Sequence, residues 1–388
     1  MDKEGSWIRT FNELEAEYSM NFTKEKLGQF YTPSHIVELM VSLIENKGTI
    51  IEPSCGPGAF LSYLPSHAIG IEIDEATAHK NALIMDFFDY STSVDTIIGN
   101  PPYVRYQDIV PSTKSKLSNN FDNRSNLYLF FIEHSINLLN DNGELIFIVP
   151  RDFIKTTSAL KLNERLFQEG GFTFWKEYGD EKIFADAAPN VVIFRWVKGL
   201  KEHKIPVSFY NGYLSFGEIE TDKKKIYLNT LFDIRVGGAS GANKVFIEDN
   251  GNIDLVVSDT KKTGLTKKAH YSIVPTDYLI QHKETLMNRR IKKFTENNWW
   301  EWGRKINHIE GPKIYVNNKT RDMAPFFTHE SGWYDGSVLA LIPKENNNFD
   351  LQTMIDILNN TNWDEQGFLV GGRLVFGQRS LSNAYILV

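Results

Sequence analysis

The chain has 388 residues, 41% of them hydrophobic and 13% aromatic, which suffices for two domains with buried cores and excludes a disordered polypeptide. No stretch reaches the roughly 18 apolar residues of a membrane span, no basic start precedes an apolar run, and a single cysteine, Cys55, excludes an internal disulfide, so the expectation is a soluble, cytoplasmic protein held by packing. A formal net charge of -7 argues against bulk coating of nucleic acid, yet residues 221–320 carry about 18 Lys and Arg against about 11 Asp and Glu, which puts the basic surface in the second half.

In chain order, the apolar spacing of residues 35–44 predicts a helix. Four short runs predict buried parallel strands: Thr49-Ile50-Ile51-Glu52, Ala68-Ile69-Gly70-Ile71-Glu72, Asp95-Thr96-Ile97-Ile98-Gly99 and Glu144-Leu145-Ile146-Phe147-Ile148-Val149. A further helix is read over residues 127–134, and the alternation of strand and helix implies a doubly wound, mostly parallel α/β sheet. Phe172-Thr173-Phe174-Trp175 and Val191-Val192-Ile193-Phe194-Arg195-Trp196 add antiparallel edge strands, so the sheet closes near Trp196. Lys201-Glu202-His203-Lys204 followed by Pro206 reads as a linker, which places the boundary within 200–225 and the domains at 1–215 and 216–388. The second domain mixes strands at 313–316 and 337–342 with a helix at 351–358 and reads as mixed α/β.

Three segments carry chemistry. The first strand runs into Glu52-Pro53-Ser54-Cys55-Gly56-Pro57-Gly58, where glycines let a ligand approach the backbone as the strand turns into a helix, or simply tighten the turn. Glu72 ends the second strand, where a carboxylate can accept both hydroxyls of a ribose, and Asp86 follows the next apolar run, placed to meet an adenine amine; a surface carboxylate or helix cap is the alternative for either. After the fourth strand stands Asn100-Pro101-Pro102-Tyr103. Two prolines remove two backbone donors and leave carbonyls as acceptors, and the Asn100 side chain adds another. Acceptors for both hydrogens of a planar amine favour the tetrahedral nitrogen that can attack a methyl group, and Tyr103 can stack on a base taken out of its duplex.

These motifs resemble the N6-adenine DNA methyltransferases of the gamma motif order found in restriction-modification systems. Gly28-Gln29-Phe30-Tyr31-Thr32-Pro33 resembles the family's N-terminal motif over the methionine end of the cofactor, residues 52–60 resemble its Gly-rich motif, and Asn100-Pro101-Pro102-Tyr103 matches its catalytic motif. The resemblance implies a class I S-adenosylmethionine-dependent methyltransferase fold, with S-adenosyl-L-methionine held by Phe30, Tyr31, Thr32, Pro33, Glu52, Ser54, Gly56, Gly58, Glu72, Ile73, Asp86, Phe87 and Asn100. It also implies site-specific, adenine-specific methylation of double-stranded DNA by a monomer, with any cognate restriction endonuclease on a separate chain and no metal. Phe184, in Lys182-Ile183-Phe184-Ala185, falls where such enzymes place a second aromatic against the flipped base, unless it is core.

The second half resembles a target-recognition region at residues 236–246 and 371–374, and Arg105, Lys244, Arg289, Arg290 and Arg373 are the candidate DNA contacts. Trp299-Trp300-Glu301-Trp302 beside Arg289 and Arg290 interleaves aromatics with cations, as a DNA surface or as core. The catalytic loop alone also fits methylation of an RNA base amine or of a release-factor glutamine amide. A non-catalytic specificity subunit is a further reading. Cytosine C5 chemistry needs a cysteine nucleophile, and Cys55 sits in the Gly-rich loop instead.

Overall fold

The computed structural model describes residues 32–178, 183, 190–217, 223–345 and 349–388. These divide into two compact units either side of residues 218 and 219. Among the described residues no helix is long and apolar enough to cross a membrane.

The first unit is built on seven strands: β1 (Ile50–Glu52), β2 (Ile69–Glu72), β3 (Leu83–Ile84), β4 (Val94–Gly99), β5 (Leu139–Pro150), β6 (Gly170–Glu177) and β7 (Val191–Lys198). Their order in the sheet is β3-β2-β1-β4-β5-β7-β6. The pairs from β3 to β5 are parallel, whereas β7 runs antiparallel to both β5 and β6. This is the doubly wound, mostly parallel sheet that the alternation of elements implies. Its strands are apolar on both faces because both faces are covered. Ile97, Leu145, Phe147 and Val149 pack with the helices Leu127–Leu138 and Leu160–Gln168, while Ile98, Ile146 and Ile148 pack with the helix Ser34–Ser42.

One expectation is corrected. The Gly-rich segment does not turn into a regular helix: residues 53–63 are turns, with only Ser62 N–H to Gly58 and Leu64 N–H to Phe60 spanning four residues. Pro57 offers no donor, and Gly56 and Gly58 both take positive φ, so helical geometry is not available there.

A buried ion pair ties the far end of the sheet. Arg195 of β7 donates through Nε to Glu144 of β5 at 2.8 Å and through its other nitrogens to Glu45 and to Thr173 of β6. Glu144 also accepts from Thr96 of β4 and from the Asn46 backbone.

In the second unit an antiparallel sheet joins Phe232–Val236, Val338–Pro343, Ile314–Asn317 and Phe326–Phe327, covered by Met354, Ile355 and Leu358 of the helix Leu351–Asn360. Lys267–Ala269, Ile253–Val256 and Trp333–Tyr334 form a smaller sheet. Trp299 and Trp302 are buried in the adjacent core, which settles them as packing residues. Arg289 requires a second correction. Expected at a DNA surface, it is buried, and its guanidinium donates to the carbonyls of Ser240, Leu286, Trp299 and Glu301 over the ring of Phe294. Burial pulls it down to about 10, still cationic at neutral pH.

Candidate active site

β1 has β2 on one side and β4 on the other, so the chain reverses its winding between β1 and β4. Ligands of open α/β sheets bind outside the carboxyl ends of the strands at such a point. A cavity lies there, and its walls include Glu52, Glu72, Asp86 and Asn100, the residues that end or follow β1, β2, β3 and β4.

Backbone donors build the floor. Glu72 accepts at Oε1 from Ile73 and Asp74 N–H, and at Oε2 from Gly56 N–H at 2.9 Å. Its carboxylate is thereby fixed, and Oε2 keeps one further acceptor position. Cys55 N–H donates to the Ile71 carbonyl and His79 N–H to that of Gly56, which stitches the Gly-rich turn to β2. The two glycines differ. Gly56, at φ 47°, has open space where a Cβ would stand, whereas a Cβ on Gly58, at φ 93°, would meet the His79 ring at 2.7 Å. Gly56 faces open space; Gly58 is required by packing.

Glu52 is buried, and among the described residues its Oε2 has no hydrogen-bond partner. Burial raises its carboxyl well above the usual range, and the neighbouring charge of Glu72 adds to this against a backbone donor at Leu61. Burial, with the charges of Glu52 and Glu72, pushes the Cys55 thiol up to about 12, which keeps it protonated and unreactive. Asp86 does cap the short turn after it, accepting from Phe88 N–H, and it lines the cavity as well.

The fourth strand delivers Asn100-Pro101-Pro102-Tyr103 to the same place. Ser54 donates to the Asn100 carbonyl at 3.2 Å, and Asn100 Nδ2 donates to Thr32 Oγ1 at 3.2 Å. The latter contact sets which end of the amide is the acceptor. Tyr103 donates its hydroxyl to the Ile148 carbonyl at 2.9 Å and meets Tyr128 edge to face. Asn100 and Pro102 line the cavity, while Pro101 is buried and Tyr103 half-buried beside it.

Of the other predicted site residues, Thr32, Ser54, Gly56, Ile73 and Phe87 line the cavity, and Pro33 caps the first described helix. Phe30, Tyr31 and Phe184 lie outside the described residues. Arg105 is exposed and paired with Asp108. Lys244 and Arg290 are exposed, and Arg373 is half-buried on the strand Arg373–Val375. Sequence reasoning missed the opposite wall, formed by Asp108, Ile109, Val110 and Thr113 of the loop after the catalytic motif. Nothing local marks that loop as a wall; only its return over the strand ends does.

Comparison with known proteins adds two family models: an N-6 DNA methylase model matches residues 15–68 and an Eco57I restriction-modification methylase model matches residues 63–184. The type II methyltransferase M.HincII of Haemophilus influenzae is 36% identical over 192 residues, covering 45% of this chain and 38% of that protein. The type II methyltransferase M.BstVI of Geobacillus stearothermophilus is 34% identical over 328 residues, covering 62% of this chain and 58% of that one. The chain thus matches less than half the length of the Haemophilus relative. Among solved structures, the methyltransferase subunit of a type I restriction-modification system from Streptococcus thermophilus is similar with a TM-score of 0.36 and 19% identity, over 44% of this chain and 45% of that one.

Proposed function

We propose that this chain transfers the methyl group of S-adenosyl-L-methionine to the N6 amine of adenine in double-stranded DNA, after base flipping, as the modification component of a restriction-modification system. The observation that carries this reading is the seating of Asn100 in the wall of a cavity whose other polar walls are Glu52, Glu72 and Asp86. Sequence likeness to type II methyltransferases supports DNA as the substrate class.

The cavity fits the cofactor on two counts. The buried Oε2 of Glu52, without a partner among the described residues, suits a cationic amino group, and the open space at Gly56 is a cradle that a Cβ would fill. Glu72 would take the ribose, Asp86 the adenine amine, and Ile73 and Phe87 the faces of the ring, with Thr32 and Pro33 towards the methionine end. When bound, S-adenosylmethionine supplies an electrophilic methyl group. The chain's own part is to hold the amine: the Asn100 side-chain carbonyl and the Pro101 carbonyl accept its two hydrogens, which withdraws the nitrogen lone pair from the ring. Tyr103, anchored through its hydroxyl, offers its ring to the extruded base.

The first unit is then the catalytic domain and the second the target-recognition domain, working in the cytoplasm as a monomer with any cognate endonuclease on another chain. The test is transfer of labelled methyl from S-adenosylmethionine to unmethylated DNA, RNA and release-factor protein in parallel, followed by nucleoside analysis. N6-methyladenine in DNA is the expected product. Label in RNA or protein alone would overturn the substrate, and no transfer at all would leave a non-catalytic subunit.

A further inference from the structure

Asp86 is held by two residues that the reaction does not use. Thr113, itself buried, donates Oγ1 to Asp86 Oδ2 at 2.7 Å, and Lys116 Nζ donates to the same oxygen at 3.1 Å while also pairing with Asp89. Both come from the excursion between the catalytic motif and the helix Leu127–Leu138. That excursion is closed at its base by the pairing of Arg105 with Asn126 and by Leu127 N–H donating to the Val104 carbonyl. Its far side, with Ile109 and Val110, forms the cavity wall beside Asp86.

The donor count is decisive. A carboxylate oxygen accepts two hydrogen bonds in its plane. Thr113 and Lys116 fill Oδ2, and Phe88 N–H takes one position on Oδ1, which leaves one acceptor position on Oδ1. The ammonium also sits between two neighbouring carboxylates, Asp86 and Asp89, and offsets their charges.

We infer that Thr113 and Lys116 are positioning residues that make the cavity selective for an amino-purine: they orient Asp86 so that its remaining acceptor meets an exocyclic amine and rejects a carbonyl oxygen at the same place. This rests on the cofactor reading above. A site built around one acceptor discriminates against a ligand lacking the donor more strongly than packing does.

The experiment is direct binding of S-adenosylhomocysteine and S-inosylhomocysteine to the full chain and to Thr113→Val, Lys116→Met, Thr113→Ser and Lys116→Arg. The wild type is expected to prefer the adenosyl ligand by about tenfold or more, the scale of one hydrogen bond to a charged group. Thr113→Val and Lys116→Met should bring the two affinities towards equality, with Thr113→Ser and Lys116→Arg retaining the preference. Equal weakening of both ligands, or an unchanged ratio, overturns the inference by reducing the two residues to a structural role. Lys116 is partly exposed, so its replacement tests the idea even where Thr113→Val fails to fold. A wild type that binds neither ligand sinks the cofactor reading itself, an outcome distinct from a selective wild type with equally selective variants.

Discussion

Asn100 and Glu52 sit in one cavity wall but answer to different physics. Asn100 is held by Ser54, which donates to its main-chain carbonyl, and by Thr32, which accepts from its side-chain Nδ2. On the proposed mechanism Asn100→Ala removes a partner of the reacting amine, so turnover should fall by about 10²- to 10³-fold while cofactor affinity is retained. Steady-state kinetics beside a cofactor titration checks this, and unchanged turnover would remove Asn100 from the chemistry. Glu52 instead stores a cost. Its folded-state pKa is raised by burial, so the folded chain resists losing a proton that the unfolded chain releases near the ordinary carboxylate value. Stability therefore falls as pH rises above that ordinary value towards the folded one. Glu52→Gln keeps the shape and removes the ionisation, so the variant should melt above the wild type at pH 8, with the gap closing near pH 4, and should bind cofactor more weakly. A melting gap that does not depend on pH would mean that Glu52 is not the group that titrates.

At the scale of elements, Arg195 and Glu144, 51 positions apart in the chain, lock β4, β5, β6 and β7 together. Arg195→Met leaves Glu144 buried without its cation, and breaking such a pair costs about 3–5 kcal/mol. Denaturant unfolding of the variant measures it, and a loss below about 1 kcal/mol would show the pair to be solvated. Neither partner announces this in the sequence, because each reads as one polar residue in an apolar strand. The strands themselves are legible there. β1, β2 and β4 are apolar runs that end at or just before residues lining the cavity, and the second half of β5 is apolar as well, since a strand covered on both faces has no polar side to blur its pattern. β3 is legible only as the short apolar run before Asp86 and not as a strand of the sheet, because a two-residue edge strand with both side chains exposed carries no burial pattern. The turn at residues 53–63 reads as the start of a helix because its glycines follow a buried strand, where strand-to-helix turns stand; the positive φ of Gly56 and Gly58 prevents it. The Asp108 to Thr113 wall is a tertiary product of the loop's return, with no local signature.

At the scale of the whole molecule, the basic stretch of residues 221–320 is the expected source of DNA affinity, but its cations are not equivalent. Arg289 donates to four main-chain carbonyls inside the second unit, partners that leave no trace in a sequence, whereas Arg290 and Lys244 are exposed. The two kinds of arginine should separate in one pair of measurements. Arg289→Ala strands those carbonyls and should lower stability by about 3 kcal/mol or more, seen as a loss of melting temperature before any DNA is added. Arg290→Ala should leave melting unchanged and weaken DNA binding alike for all sequences, with the slope of log affinity against log salt falling by about one, as for the loss of one phosphate contact. Lys244→Ala should behave as Arg290→Ala does. If Arg289→Ala instead keeps its melting temperature and loses salt dependence, the guanidinium reaches the surface and the backbone contacts are not its role. If Arg290→Ala and Lys244→Ala both keep the full salt slope, DNA is held by other cations, and the basic stretch is solvated surface rather than the face that reads the target.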